Sequence, residues 1–125
     1  MQDLVIEQTQ YTPAISMLTE GKISLIGKSY PENTFEFYKP VIQWLNSFFE
    51  EGSVDSLSVT FEIIYFNSSS SKVFFDFFDV LNLNKEDKNI HVIWQHDVDN
   101  ESALEAGEDF VDDFPDLNIT IKTTD

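Results

Sequence analysis

YFNSSSSKVFFDFF, residues Tyr65 to Phe78, sets the end of an apolar strand directly against the start of an apolar helix. Ile63, Ile64, Tyr65 and Phe66 close a run that calls for cover on both faces, whereas Phe74, Phe77, Phe78 and Leu81 recur at the i, i+3, i+4, i+7 spacing of one helix face. The period changes across Asn67 to Ser71. Asn and Ser are favoured at helix starts because their side-chain oxygens accept bonds from the unpaired N–H groups of the first turn. Those N–H groups also attract anions, so a hydroxyl at this place is well sited for phosphorylation. The plainer reading makes the serines caps or a flexible tract. Apolar residues immediately on both sides argue against a linker, and capping does not require four serines.

Upstream of this junction, Ser56 to Ile64 (SLSVTFEII) alternates, with Leu57, Val59, Phe61 and Ile63 on one face. Before it, Phe35, Tyr38, Val41, Ile42, Leu45, Phe48 and Phe49 give an amphipathic helix. Either Ser29 with Glu32 or Asn33 with Glu36 would cap its start, and Gly52 would end it after Glu51. Pro40 should kink its early turns. Leu4 to Ile6 and Lys22 to Gly27 read as two strands of a hairpin. Gly21 supplies a turn, and Thr9 to Ile15 (TQYTPAI) is an extended connection because Pro13 disfavours a helical Thr12. Downstream, the second helix ends near Asn82 to Asn84. Asn89 to Gln95 reads as a strand, Glu101 to Phe114 as an acidic helix and Asn118 to Lys122 as a short last strand. The order ββαβαβαβ predicts one α/β domain over residues 1–125, with an N-terminal hairpin and a mixed, mostly parallel sheet covered by about three helices. Functional loops of such sheets gather at the strands' C-terminal ends, where the serine run lies.

The 125 residues fit one domain, and 42% hydrophobic content with 12 phenylalanines predicts a Phe-rich core. Cysteine is absent, so there is no disulfide, thiolate metal site or Cys nucleophile. The N-terminus MQDLVIEQTQ lacks the basic and apolar regions of an export signal, and no apolar run nears the roughly 18 residues of a membrane span, so a cytoplasmic protein without membrane insertion is expected. With 23 acids against 7 lysines and no arginine, the net charge of −16 repels phosphate backbones, which argues against a nucleic-acid ligand. It favours either a partner with a basic face or simple solubility.

Other chemistry finds little support. His91 and His96 are an odd number of positions apart, so on one strand they face opposite ways and cannot share a metal. Asp97, Asp99, Glu101 and Glu108 have the spacing of a calcium loop, yet Ser102 stands where its sharp turn needs glycine and a strand precedes it in place of a helix. No glycine-rich phosphate loop, HExxH or GxSxG occurs, and nothing calls for a metal or cofactor. Asp112 and Asp113 diverge on a helix and read as a solvated face.

Several separated stretches together resemble the SiaC family of bacterial regulatory phosphoproteins, whose fold is like that of anti-sigma-factor-antagonist (STAS) domains. They are TQYTPAI at Thr9 to Ile15, SYPEN at Ser29 to Asn33, YFNSSSSK at Tyr65 to Lys72, and Trp94 followed by Asp97, Asn100 and Glu101. The resemblance implies a non-enzymatic switch. A dedicated Ser/Thr kinase phosphorylates the hydroxyl after the junction asparagine, a PP2C-like phosphatase removes the phosphate, and the unphosphorylated form binds and activates an effector such as a diguanylate cyclase, linking the switch to cyclic-di-GMP and biofilm behaviour. That hydroxyl is Ser68 here. STAS relatives carry Asp-Ser-Ser where this chain has Asn67, Ser68 and Ser69. This chain has serine where the family has threonine, and three more serines follow, so Ser69 and Ser70 remain alternative acceptors.

The expected partner surface comprises Tyr30, Pro31, Glu32 and Asn33 of SYPEN together with Asn67, Ser69, Ser70 and Lys72, while Ser69 to Ser71 cap and begin the helix. A different reading is a small-ligand sensor of STAS-like fold, with Tyr30, Tyr65 and Trp94 lining an apolar wall between helix ends and sheet. Its plain counterpart is aromatic core packing.

Overall fold

The computed structural model describes residues 1–124. In chain order the elements are β1 (Leu4–Ile6), β2 (Ala14–Leu18), β3 (Lys22–Ser29), α1 (Thr34–Glu51), β4 (Ser56–Phe66), α2 (Ser68–Leu83), β5 (Asn89–Asp97), α3 (Glu101–Asp113) and β6 (Ile119–Thr124). The six strands lie side by side in the order of the sequence. β1, β2 and β3 run antiparallel, and β3, β4, β5 and β6 run parallel. This is the expected mixed α/β sheet with three helices.

Two expectations about the strands need correction. The hairpin joins β2 to β3 and not Leu4–Ile6 to Lys22–Gly27, because the supposed connection contains a strand of its own. Ile15 and Met17 point to the core with Ser16 between them, and Pro13 stands just ahead of the strand, where its missing N–H costs no ladder bond. Gly21 makes the turn at φ +98°, a conformation that favours glycine. Second, the end of β4 is not covered on both faces: Ile64 and Tyr65 are each 54% exposed. The strand order leaves one face open, and Ile64 is the residue skipped where the register with β3 shifts from Gly27↔Ile63 to Lys28↔Tyr65, so it breaks the alternation. Right-handed crossovers repeated in one direction, β3 to β4 to β5 to β6, stack all three helices on one face of the sheet.

Burial follows that layering. Leu57, Val59, Phe61 and Ile63 of β4 are buried under the helices, as are Ile90, Val92 and Trp94 of β5. The opposite face carries Ser58, Thr60 and Glu62, with Gln95 Nε2 donating to Glu62 Oε1 at 2.8 Å and His91 Nε2 lying 3.0 Å from Thr120 Oγ1. His96 is buried on the helix side, its Nδ1 2.8 Å from the Asp97 carbonyl. Phe61 is the hub of the core, in contact with Phe74, Phe77, Phe78 and Trp94. Among the described residues no helix is long and apolar enough to cross a membrane.

α1 forms around Tyr38, Val41, Trp44, Leu45 and Phe48, all buried, and it accommodates Pro40 on an exposed position of an early turn. Gly52 ends it with its N–H on the Phe48 carbonyl at 2.9 Å. Phe35, expected on the apolar face, is 77% exposed. It lies in the first turn, at the surface beside Val73 and Asp76 of α2.

Candidate functional site

The parallel strands deliver three helix starts to one edge of the sheet, and an asparagine caps each. Asn33 Oδ1 accepts from the Glu36 N–H at 3.2 Å, Asn67 Oδ1 from the Ser70 N–H at 2.9 Å, and Asn100 Oδ1 from the Ala103 N–H at 3.1 Å. Asn100 also donates from Nδ2 to the Ile64 carbonyl at 3.0 Å, tying the start of α3 to the end of β4. The cap of α2 is therefore Asn67, and Ser69 to Ser71, expected to cap, lie inside the helix. Asparagine is among the strongest capping residues, so once it occupies the extended position before the first turn the serines are not needed there.

The serines then divide by helix phase. Ser68 and Ser69 are exposed, Ser71 is half-buried, and Ser70 is fully buried. Ser70 Oγ donates to the Ser29 carbonyl at 2.9 Å and lies 2.8 Å from Ser29 Oγ, which is 2.5 Å from the Tyr38 hydroxyl. Ser29 is thus a core residue and not the cap of α1. Burial pushes the Tyr38 phenol up to about 12, and the bond with Ser29 offsets part of that rise. Ser70 cannot meet a kinase or a partner without leaving the core. Ser68 and Ser69 are the accessible hydroxyls of the run.

Three of the sequence motifs meet beside Ser68. In TQYTPAI, Thr9 Oγ1 accepts from the N–H groups of Tyr11 and Thr12, each at 3.1 Å, and folds the loop back. Gly27, at φ +133°, stands where the register with β4 shifts across the extra residue Ile64, just before the chain enters SYPEN; its backbone comes so near that a Cβ would lie 3.2 Å from Pro13 Cα. The Tyr30 N–H then bonds the Tyr11 carbonyl at 2.8 Å, and the Asn67 N–H bonds the Ser29 carbonyl at 3.1 Å. Each motif contributes one tyrosine to an edge-to-face strip, Tyr11 on Tyr30 at 5.3 Å and Tyr30 on Tyr65 at 5.5 Å. Tyr11 and Tyr65 are about half exposed.

Toward the helices, SYPEN and α2 line a common groove of about 370 Å³ formed by Glu32, Asn33, Thr34 and Phe35 facing Ser69, Lys72, Val73 and Asp76. It continues between α1 and α2 as an apolar cleft of about 160 Å³ past Tyr38 and Ile42. Of the residues expected to meet a partner, Glu32, Asn33, Ser69 and Lys72 line this groove, Tyr30 belongs to the tyrosine strip, and Asn67 is partly exposed at the helix start. Pro31 and Ser70 are buried and serve as support. Sequence reasoning missed Tyr11, Phe35 and Asp76. The recurrence of one tyrosine in each motif was a usable signal for Tyr11, whereas Phe35 fitted the core pattern and gave none.

The wall proposed for a small ligand is not assembled. Tyr30 and Tyr65 touch each other, but Trp94 is fully buried among Phe61, Phe66, Phe78 and Phe110, with its indole N–H on the Ala103 carbonyl at 2.8 Å. Among the described residues no group of three His, Asp or Glu side chains is arranged to hold a metal ion.

The family described as SiaC family regulatory phosphoprotein matches residues 6–124 of this chain. An uncharacterised protein of Pseudomonas aeruginosa (strain UCBPP-PA14) is 36% identical over 115 residues, 90% of each chain. The fold matches the crystal structure of apo-SiaC from Pseudomonas aeruginosa with a TM-score of 0.87 at 32% identity, covering 98% of this chain and 99% of that one. It also matches a chain in the crystal structure of the diguanylate cyclase SiaD in complex with its activator SiaC from the same organism, with a TM-score of 0.90 at 33% identity over 98% of this chain and 100% of that one.

Proposed function

The chain belongs to the SiaC family of regulatory phosphoproteins, and from that premise we propose that it is a non-enzymatic activator of a diguanylate cyclase, controlled by reversible phosphorylation of Ser68. The observation that carries the reading is the exposure of Ser68 between the tyrosine strip and the α1–α2 groove, on a fold that matches an activator crystallised with its cyclase. The unphosphorylated face, with Tyr30, Glu32, Asn33, Ser69 and Lys72, docks the cyclase. A Ser/Thr kinase transfers the γ-phosphoryl group of a nucleoside triphosphate to Ser68 Oγ, the nucleoside diphosphate leaves, and the hydroxyl proton is lost. A PP2C-like phosphatase hydrolyses the ester and returns serine and inorganic phosphate.

The added charge of about −1.5 to −2 would have to be desolvated in the interface, on a protein already at −16, so phosphorylation disfavours docking. The test is affinity capture from native lysate with wild type, Ser68→Ala and Ser68→Asp, phosphosite mapping of the wild type, and cyclic-di-GMP synthesis by the captured cyclase. Wild type and Ser68→Ala should stimulate synthesis and Ser68→Asp should not. Equal stimulation by all three, with no phosphate on Ser68, would reject the switch.

A further inference from the structure

Three buried hydroxyls join α1, β3 and α2 in a chain whose direction the geometry fixes. The Ser70 hydroxyl donates to the Ser29 carbonyl at 2.9 Å, and a carbonyl can only accept, so the single Ser70 proton is used there. The 2.8 Å bond between the Ser29 and Ser70 hydroxyls is then donated by Ser29, and the 2.5 Å bond between Ser29 and the Tyr38 hydroxyl by Tyr38. All three residues are at most 1% exposed, so each bond is made away from solvent. The Ser29 carbonyl also takes the Asn67 N–H at 3.1 Å.

These bonds set the rotation of the first turn of α2. Asn67 Oδ1 holds the Ser70 N–H at 2.9 Å, and the Asn67 carbonyl holds the Ser71 N–H at 3.0 Å. With the Ser70 side chain pinned inward, the two exposed serines before it are fixed about 100° apart around the helix. Ser69 is turned into the groove with Glu32, Asn33, Lys72 and Asp76, whereas Ser68 is not part of its walls. A kinase brings a nucleoside triphosphate in line with its acceptor hydroxyl. A recess holding two carboxylates against one lysine opposes that approach by shape and by charge.

We propose that Ser70 is the positioning residue that selects the phosphoacceptor: its bond to Ser29, ordered from α1 by the Tyr38 hydroxyl, turns Ser68 outward and keeps Ser69 in the groove. Ser70 acts through helix phase and meets neither kinase nor phosphate. This rests on phosphorylation of the serine run, and it adds the residue that decides between the run's two exposed hydroxyls.

For the test, each full-length chain is expressed from its native locus, and phosphosite mapping gives the ratio of phosphate on Ser68 to phosphate on Ser69. The ratio counts only phosphorylated molecules, so a general loss of folded protein does not move it. Ser70→Ala should lower it about tenfold, the population shift that one lost buried hydrogen bond permits. Tyr38→Phe, which removes the donor at the far end of the chain and keeps the ring, should lower it by less, and it carries the test if Ser70→Ala does not fold. Gly107→Ala, which strains α3 against Trp94, should leave the ratio unchanged. Phosphate on Ser68 in the wild-type chain with the same ratio in Ser70→Ala and Tyr38→Phe, or an equal fall in Gly107→Ala, would overturn the positioning role alone. Absence of phosphate from Ser68 in the wild-type chain would overturn it together with the switch.

Discussion

The Ser70 hydroxyl donates to the backbone carbonyl of Ser29 at 2.9 Å across 41 residues of sequence, one of the bonds that hold the serine helix against the end of β3. The Asn67 N–H reaches the same carbonyl at 3.1 Å. The exposed Ser68 is thus held between two residues anchored to a neighbouring strand. A modification of Ser68 therefore acts on a rigid support.

Ser70→Ala should lower stability by about 1–2 kcal/mol, because it leaves buried hydroxyl and carbonyl groups short of a partner. Ser68→Ala and Ser69→Ala, exposed, should stay within about 0.5 kcal/mol of wild type. Urea unfolding reads both, with a lower midpoint and an unchanged slope expected for Ser70→Ala. Equal effects at the three positions would contradict the division of the run by helix phase.

Tyr38 makes alkaline stability a test of the same network. Its folded phenol is pushed up to about 12 from 10.0, so the neutral form is favoured in the fold. The associated stability is fully present below pH 10 and is lost as pH rises from about 10 through about 12, roughly 2–3 kcal/mol in all. Absorbance titration at the phenolate band should show one late-ionising tyrosine that Tyr38→Phe removes. That variant should also show a shallower loss of stability over the same window.

Gly107 in α3 packs directly on the Trp94 ring, and a Cβ there would lie 2.5 Å from Trp94 Cδ1 and 2.9 Å from Nε1. Gly107→Ala should therefore destabilise by about 1–3 kcal/mol despite the better helix propensity of alanine. Near-ultraviolet circular dichroism should change with it, since Trp94 is fully buried and fixed by its bond to Ala103. A stabilised Gly107→Ala protein with an unaltered tryptophan spectrum would count against this packing.

Phe35 is 77% exposed at the mouth of the α1–α2 groove, so its truncation separates binding from folding. Phe35→Ala should leave the urea midpoint close to wild type and weaken binding of the proposed effector by about tenfold or more, as expected for an aromatic anchor. Titration calorimetry with the captured effector measures it. Unchanged affinity would move the docking face away from this groove.

Much of this was legible in the sequence because it is local. The phase of Phe74, Phe77, Phe78 and Leu81 gave the buried face of α2, and the alternation of Leu57, Val59, Phe61 and Ile63 gave the buried face of β4. The meeting of SYPEN with the serine junction could be expected only through the resemblance to a family, and the arrival of TQYTPAI beside them only from the structure. No periodicity in one segment reports which distant segment it will meet. β2 was hidden for a related reason, since a short strand after a proline resembles a loop until two neighbours supply its hydrogen bonds.

The sequence by itself determined the layered α/β pattern, the Phe-rich core and the polar junction, since each follows from the spacing of residues along a few turns or strands. Tertiary structure decided what each serine does. Ser29 and Ser70 close a buried hydroxyl network with Tyr38, while Ser68 and Ser69 remain in solvent, because the direction of a hydroxyl depends on the strand packed against its helix. It also decided that one face of the sheet stays open. The order of the strands sends every crossover the same way, and that order is a property of the assembled sheet.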